Sequence, residues 1–246
     1  MGSPSHPEGE IGYWVMAIGY RISIFQYFQN MNKNEKFVIT INRELGSGGH
    51  TVGRKLAEKL GVQFFDKTLI KSLEEKFHLT AEEIEKLKGR KPNWWDDFKR
   101  VARIGEGWNM GYTQQYSQGD VRSQPDIMTT AEIFKAETEI LQGAAENESC
   151  VVTGRSGFFV FRQHPNHLSI LIQASMPFRI ERVMRKQEVG EDEARKIIEQ
   201  VDTMRENYVT KYTGTSRYDA RNYDLVIKAD GKSEDEIVNI ILQYIG

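Results

Sequence analysis

The sequence predicts an α/β fold, a five-stranded parallel sheet with helices on both faces, and three observations carry that expectation. First, five short apolar runs at 37–41, 61–65, 150–153, 168–173 and 225–227 read as strands, too short for helices and rich in β-branched or aromatic side chains. Second, helical patterns separate them, which makes the connections right-handed crossovers between parallel strands. Third, the first run leads through a glycine-rich turn directly into a helix. At 246 residues and 39% hydrophobic content, the chain can bury one full core with insertions.

Taken in order, residues 1–30 open with a leader-like Met1-Gly2-Ser3-Pro4. An aromatic and apolar stretch follows, interrupted by Arg21 and Gln26 and without the basic segment or cleavage site of a signal peptide. Its length is marginal for a membrane anchor. It is read as an appendage of unknown origin, with the domain proper spanning 36–246.

The organising stretch is 36–61. After Phe37-Val38-Ile39-Thr40-Ile41 come Asn42-Arg43-Glu44-Leu45-Gly46-Ser47-Gly48-Gly49-His50-Thr51, then Val52, Leu56 and Leu60 at helical spacing. Converging backbone N–H groups and the positive end of a helix make such a turn an anion site suited to phosphate. The candidate phosphate-binding residues are Gly46, Ser47, Gly48, Gly49, His50 and Thr51.

A G-x-x-x-x-G-K-[ST] loop would carry a lysine to the outer phosphates. A frame through Gly48, Gly53, Arg54 and Lys55 puts Gly53 inside a helix that has begun by Val52, and is rejected. Counting back from the helix places Arg43 at the first glycine, Gly49 at the lysine and Thr51 two residues beyond. The loop lysine is therefore missing, and Arg43 is the nearest cation in sequence to replace it; a surface pair with Glu44 is the alternative for Arg43. Thr51 is the candidate metal ligand. A turn that binds nothing would carry the same glycines.

Asp66 ends the second strand, at the sheet edge where ligands bind in open α/β folds, and also suits the N-cap of a helix beginning near Thr68. Between 73 and 124, Thr80 and Glu83 form a capping box. Trp94, Trp95, Trp108, Tyr112 and Tyr116 either stack on a base or form the core of an insert. A helix over 130–145 leads to the strand at Cys150 and then to Gly154-Arg155-Ser156-Gly157. His164 and His167 flank a proline turn rather than a metal. The next helix carries Arg179, Arg182 and Arg185 on one side. After a break at Gly190-Glu191-Asp192, a second helix carries Asp202, Arg205 and Tyr208, as a lid hairpin over 185–215 would. Ser233 and Glu236 cap the final helix.

Arg43-Glu44-Leu45-Gly46-Ser47-Gly48-Gly49, the following Gly53-Arg54-Lys55-Leu56-Ala57-Glu58-Lys59-Leu60-Gly61, Phe64-Phe65-Asp66-Lys67, and Asp219 with Asn222-Tyr223-Asp224-Leu225 resemble the cytidylate kinase-like family. This family is a divergent branch of the nucleoside monophosphate kinases whose glycine loop lacks lysine. The resemblance runs from about residue 36 to the end and is weakest over 73–130. It implies a three-layer P-loop kinase fold with an acceptor-binding insert and a lid. The implied reaction is ATP-dependent phosphoryl transfer to a nucleoside monophosphate, with a cytidylate-type acceptor favoured and Mg2+ as cofactor. It further implies that Asp66 and Arg155 face the acceptor; the lid reading adds Asp202 and Tyr208 on that side, and the candidates for serving the transfer are Arg43, Asp66, Arg182, Arg185 and Arg205. Two departures, Ser156 where an aspartate is usual and no arginine near Thr130, leave the acceptor open. The alternatives are a nucleotide-binding regulator without catalysis and a kinase for another small acceptor.

The net charge of -2 gives no general attraction to nucleic acid or an anionic membrane. No nucleic-acid or membrane partner is therefore expected, and the resemblance implies small-molecule nucleotides as partners. The single cysteine, Cys150, suits a reducing cytoplasm and reads as a core residue rather than a nucleophile.

Overall fold

A computed structural model describes residues 31–66 and 130–246, which lie in one unit, Met31–Gly246. The expectations for residues 1–30, the helix after Asp66 and the insert at 73–124 fall outside the described residues. Strands β1 (Val38–Arg43), β2 (Gln63–Phe65), β3 (Cys150–Thr153), β4 (His167–Gln173) and β5 (Leu225–Lys228) form one sheet in the order β2-β3-β1-β4-β5. Every pairing is parallel, with Val38 opposite both Cys150 and His167. The predicted fold class holds, and β1 lies at the centre of the sheet.

Alternation along β1 divides the core into two layers. Ile39 and Ile41 join Val151, Ile170 and Ile172 under α1 (Gly49–Leu60) and α6 (Glu234–Ile245), whose Val52, Leu56, Ile237 and Ile241 are fully buried. On the opposite face Val38, Cys150 and Val152 pack against Ala136, Ile140, Leu141 and Ala144 of α2 (Thr130–Asn147). Burial pushes the Cys150 thiol up to about 12, with the charge of Glu148 adding to it, so the thiol is inert as a nucleophile at neutral pH. The short α3 (Gly157–Val160) follows β3. The final helix has the expected capping box, Ser233 Oγ accepting from Glu236 N–H at 3.2 Å and Glu236 Oε2 accepting from Ser233 N–H at 2.7 Å.

Two boundaries refine the sequence reading. Helix α1 starts at Gly49, so His50 and Thr51 occupy its first turn rather than the loop. A side chain at Gly49 would meet Arg43 Cβ at 2.6 Å, so only glycine lets the helix begin this close to β1. The segment expected to form a lid is a helical hairpin, α4 (Met176–Gln187) and α5 (Glu191–Thr213), turning at Glu188 in the left-handed region. Ile180, Val183, Ala194 and Ile198 form its own small core, against which Leu45 of the glycine-rich loop packs. The hairpin is docked on the loop rather than extended away from it.

Candidate active site

The carboxyl ends of β1, β2, β3 and β4 converge at one edge of the sheet, bringing the glycine loop, Asp66 and the Gly154–Ser156 turn together. In the loop, Gly46 and Gly48 both have φ +86, a left-handed conformation disfavoured for other residues. Gly46 lies against the lid, where a Cβ would come 2.8 Å from the Arg179 carbonyl oxygen. Ser47 folds back, its N–H and hydroxyl both donating to the Glu44 carbonyl, at 3.3 and 2.9 Å. Val52 N–H donates to the Gly48 carbonyl, whereas among the described residues the N–H groups of Gly46, Gly48, Gly49 and Thr51 have no protein acceptor. Those donors, at the start of a 12-residue helix, suit an anion.

Arg43 crosses this site. Its Cβ and Cγ cover Gly49, and its guanidinium reaches the next turn, where a side chain on Gly154 would overlap Nη1. The residue thus runs from the helix start, where a loop lysine would be anchored, to the turn after β3. In that turn Gly154, Arg155 and Ser156 have φ of 79, 53 and 53, three left-handed residues in succession and two of them not glycine. Such backbone costs on the order of 1–3 kcal/mol per residue and persists only where its surroundings enforce it. Here Arg155 pairs with Glu137 of α2, which also accepts the Tyr208 hydroxyl at 2.8 Å. The Arg155 guanidinium lies 5.5 Å from the centre of the Tyr208 ring. Tyr208, Tyr212 and Phe134 form a ring cluster, with Phe134 stacked on Tyr212 at 4.9 Å.

Asp66 is 6% exposed and its Oδ2 lies 2.9 Å from His50 Nε2, joining the end of β2 to the first turn of α1. Arg182 sits at the loop, where a side chain on Gly48 would come 3.2 Å from its Nη2, and pairs with Glu234 Oε1 at 2.5 Å. Burial pushes the Glu234 carboxyl up, but the hydrogen bond and charge of Arg182 outweigh it and hold the carboxyl below its ordinary value. Arg185 is exposed on α4.

Asp202, expected on the acceptor side, is largely buried. It lies beneath the loop, accepting from Leu45 N–H at 3.1 Å and meeting the guanidinium groups of Arg179, Arg205 and Arg217. Arg205 also lies 3.4 Å from the Arg43 carbonyl, so it reaches the loop's base in this arrangement. Arg179, Arg217, Glu44 and Glu137 were not singled out from sequence as site residues. Arg179 had a signal, its spacing with Arg182 on one helix.

Residues 38–230 match the model of the "Cytidylate kinase-like family". The chain belongs to the cytidylate kinase-like family. A cytidylate kinase of Methanopyrus kandleri is 27% identical over 212 residues, which cover 83% of this chain and 90% of that protein. An uncharacterized protein from Eubacterium ventriosum shares the fold with a TM-score of 0.58 at 23% identity, over 85% of this chain and 98% of that one. A shikimate kinase from Bacteroides thetaiotaomicron aligns at lower likeness, TM-score 0.44 and 17% identity, over 84% of this chain and 97% of that one. Family and sheet order together give a three-layer P-loop kinase fold, with this chain's glycine-rich loop following the central strand. Kinase and nucleotide-binding character come with the family, and support ATP-dependent phosphoryl transfer as the reaction class.

Proposed function

We propose that this protein transfers a phosphoryl group from ATP to a nucleoside monophosphate, with a cytidylate-type acceptor. The observation that supports this reading is Arg43, which runs from the start of α1 to the strained Gly154–Ser156 turn and so would span both sides of a transfer site. Phosphoryl transfer needs little covalent help from the protein; it needs fixed cations and dipoles where charge accumulates on the transferring group. The unpartnered amides around Gly48 would hold the donor phosphates, with Arg182 beside them, and Arg205 would act from the lid. Arg185 would complete the lid's charge on closure. Arg155, held by Glu137 and Tyr208, would meet the acceptor phosphate; a guanidinium fork suits that task. Asp66, oriented by His50, lies on the acceptor side.

Mg2+ would neutralise charge on the donor phosphates during transfer. The described residues fit that ion only partly. Among them no cluster of three acidic, histidine or cysteine side chains occurs; Thr51 would be the protein ligand, with phosphate oxygens and water supplying the rest. The expected setting is a reducing cytoplasm; among the described residues no helix is long and apolar enough to cross a membrane.

Steady-state turnover of ATP with each nucleoside monophosphate in turn tests the reading. CMP is expected to be phosphorylated fastest. Turnover with shikimate or gluconate but no nucleotide would reassign the acceptor, and ATP binding with no turnover on any acceptor would make the protein a regulator.

A further inference from the structure

Beneath the phosphate loop lies an arginine that neither the motif nor the transfer reaction calls for. Arg217 is completely buried, on the segment that returns from the lid to β5. Its Nη2 donates to the Arg43 carbonyl, the last of β1, and its Nη1 lies 3.4 Å from Asp202 Oδ1. Asp202 Oδ1 in turn accepts the N–H of Leu45, two residues further along the loop. Arg179 closes the arrangement, its Nε donating to the Leu45 carbonyl at 2.7 Å and its other nitrogens meeting Asp202 and Glu44. The Glu44 carboxylate accepts Ala174 N–H at 2.9 Å, which ties the same point to the end of β4.

Side chains therefore hold the backbone at Arg43 and Leu45, while the Glu44 carboxylate between them is tied to Arg179 and to Ala174 N–H. In a loop with its lysine, that side chain would itself draw the chain onto the phosphates. We propose that Arg217, acting with Asp202 and Arg179, is a positioning residue that clamps residues 43–45 and keeps the phosphate loop formed before nucleotide arrives. The inference rests on the phosphate-binding reading of the loop. Arg217 touches no reacting atom; its two nitrogens act through the Arg43 carbonyl and the Asp202 carboxylate. A planar fork can meet both acceptors at once, which an ammonium group cannot do with the same geometry. A loop formed in advance spares ATP the ordering cost, so the clamp should appear in ATP affinity and KM more than in kcat.

The test uses the full chain and the substitutions Arg217→Lys and Arg217→Met, with two readouts: amide hydrogen exchange of residues 43–49 without ligand, and affinity for ATP. Arg217→Met should speed exchange across 43–49 at least tenfold, with β4 and α6 unchanged, and weaken ATP binding about tenfold while kcat changes less than threefold. Arg217→Lys should fall between wild type and Arg217→Met on both. If Arg217→Met does not fold, Arg217→Lys decides on the same readouts. Unchanged exchange at 43–49 in either folded variant overturns the clamp, as does exchange that rises equally throughout the molecule. Faster exchange at 43–49 alone, in a protein whose wild type binds no ATP, upholds the clamp and sinks the phosphate reading instead.

Discussion

Arg43 is the residue on which the missing lysine turns. A preorganised cation at the transferring group typically lowers the barrier by a few kcal/mol, so Arg43→Ala should reduce turnover about a hundredfold with little loss of stability, and Arg43→Lys should recover part. Steady-state rates beside a thermal melt check this; intact turnover in Arg43→Ala would exclude the role. His167 carries a prediction of another kind. Burial, aided by His164, outweighs the pull of Asp224 and lowers its pKa from 6.5 to about 4, while its Nε2 is engaged with Thr40 Oγ1 at 2.8 Å. The unfolded chain therefore takes up this proton near 6.5 and the folded chain only near 4, so its contribution is complete above pH 6.5 and is lost as pH falls toward 4. His167→Gln should flatten the fall of Tm across that window. Carboxylates such as Glu234, held below an ordinary value of 4.5, lose their contribution only at lower pH. The position of Arg43 beside the start of α1 was legible because the loop frame set it against Gly49. Arg217 was not, because nothing local marks a buried arginine: its partners Arg43 and Asp202 lie 174 and 15 residues away in sequence.

Helix α1 shows how closely an element must approach to make this site. A Cβ at Gly53 would lie 2.4 Å from Thr153 Cγ2 and 3.1 Å from the Phe64 ring, so α1 rests on β3 through the absence of a side chain. Gly53→Ala should force the helix outward and cost about 1–3 kcal/mol, the usual range for overpacking, despite the better helix propensity of alanine. The urea midpoint should fall while the m-value holds; a midpoint at or above wild type would show that the contact relaxes freely. At this scale the sequence was most readable. All five strands were found within two residues of their ends, since buried parallel strands are short apolar runs bounded by polar turns. The helical hairpin was also readable, from an arginine row broken at Gly190. Its placement on the loop was not, because Asp202 has the same helical spacing whether it faces a ligand or the protein.

For the molecule as a whole, binding is expected to register as stability. A ligand at a hundred times its dissociation constant adds about 2.7 kcal/mol to unfolding. For a chain of this size that raises Tm by roughly 5–11 °C, at about 2–4 °C per kcal/mol. A panel of ATP and the four common ribonucleoside monophosphates, read by thermal shift, should show ATP and CMP at that level; a monophosphate other than CMP giving the larger shift would move the acceptor assignment. The central place of β1 has a consequence in time as well. Thr40 meets His167 across 127 residues of sequence, and Phe37 N–H meets Ser149 Oγ across 112. At roughly 5–20 residues per second of synthesis, β1 leaves the ribosome about 6–25 s before its β4 neighbour exists. Until β3 and then β4 follow, its Val38, Ile39 and Ile41 lack the strands that flank them, and the nascent chain's demand for a chaperone should be greatest over that interval.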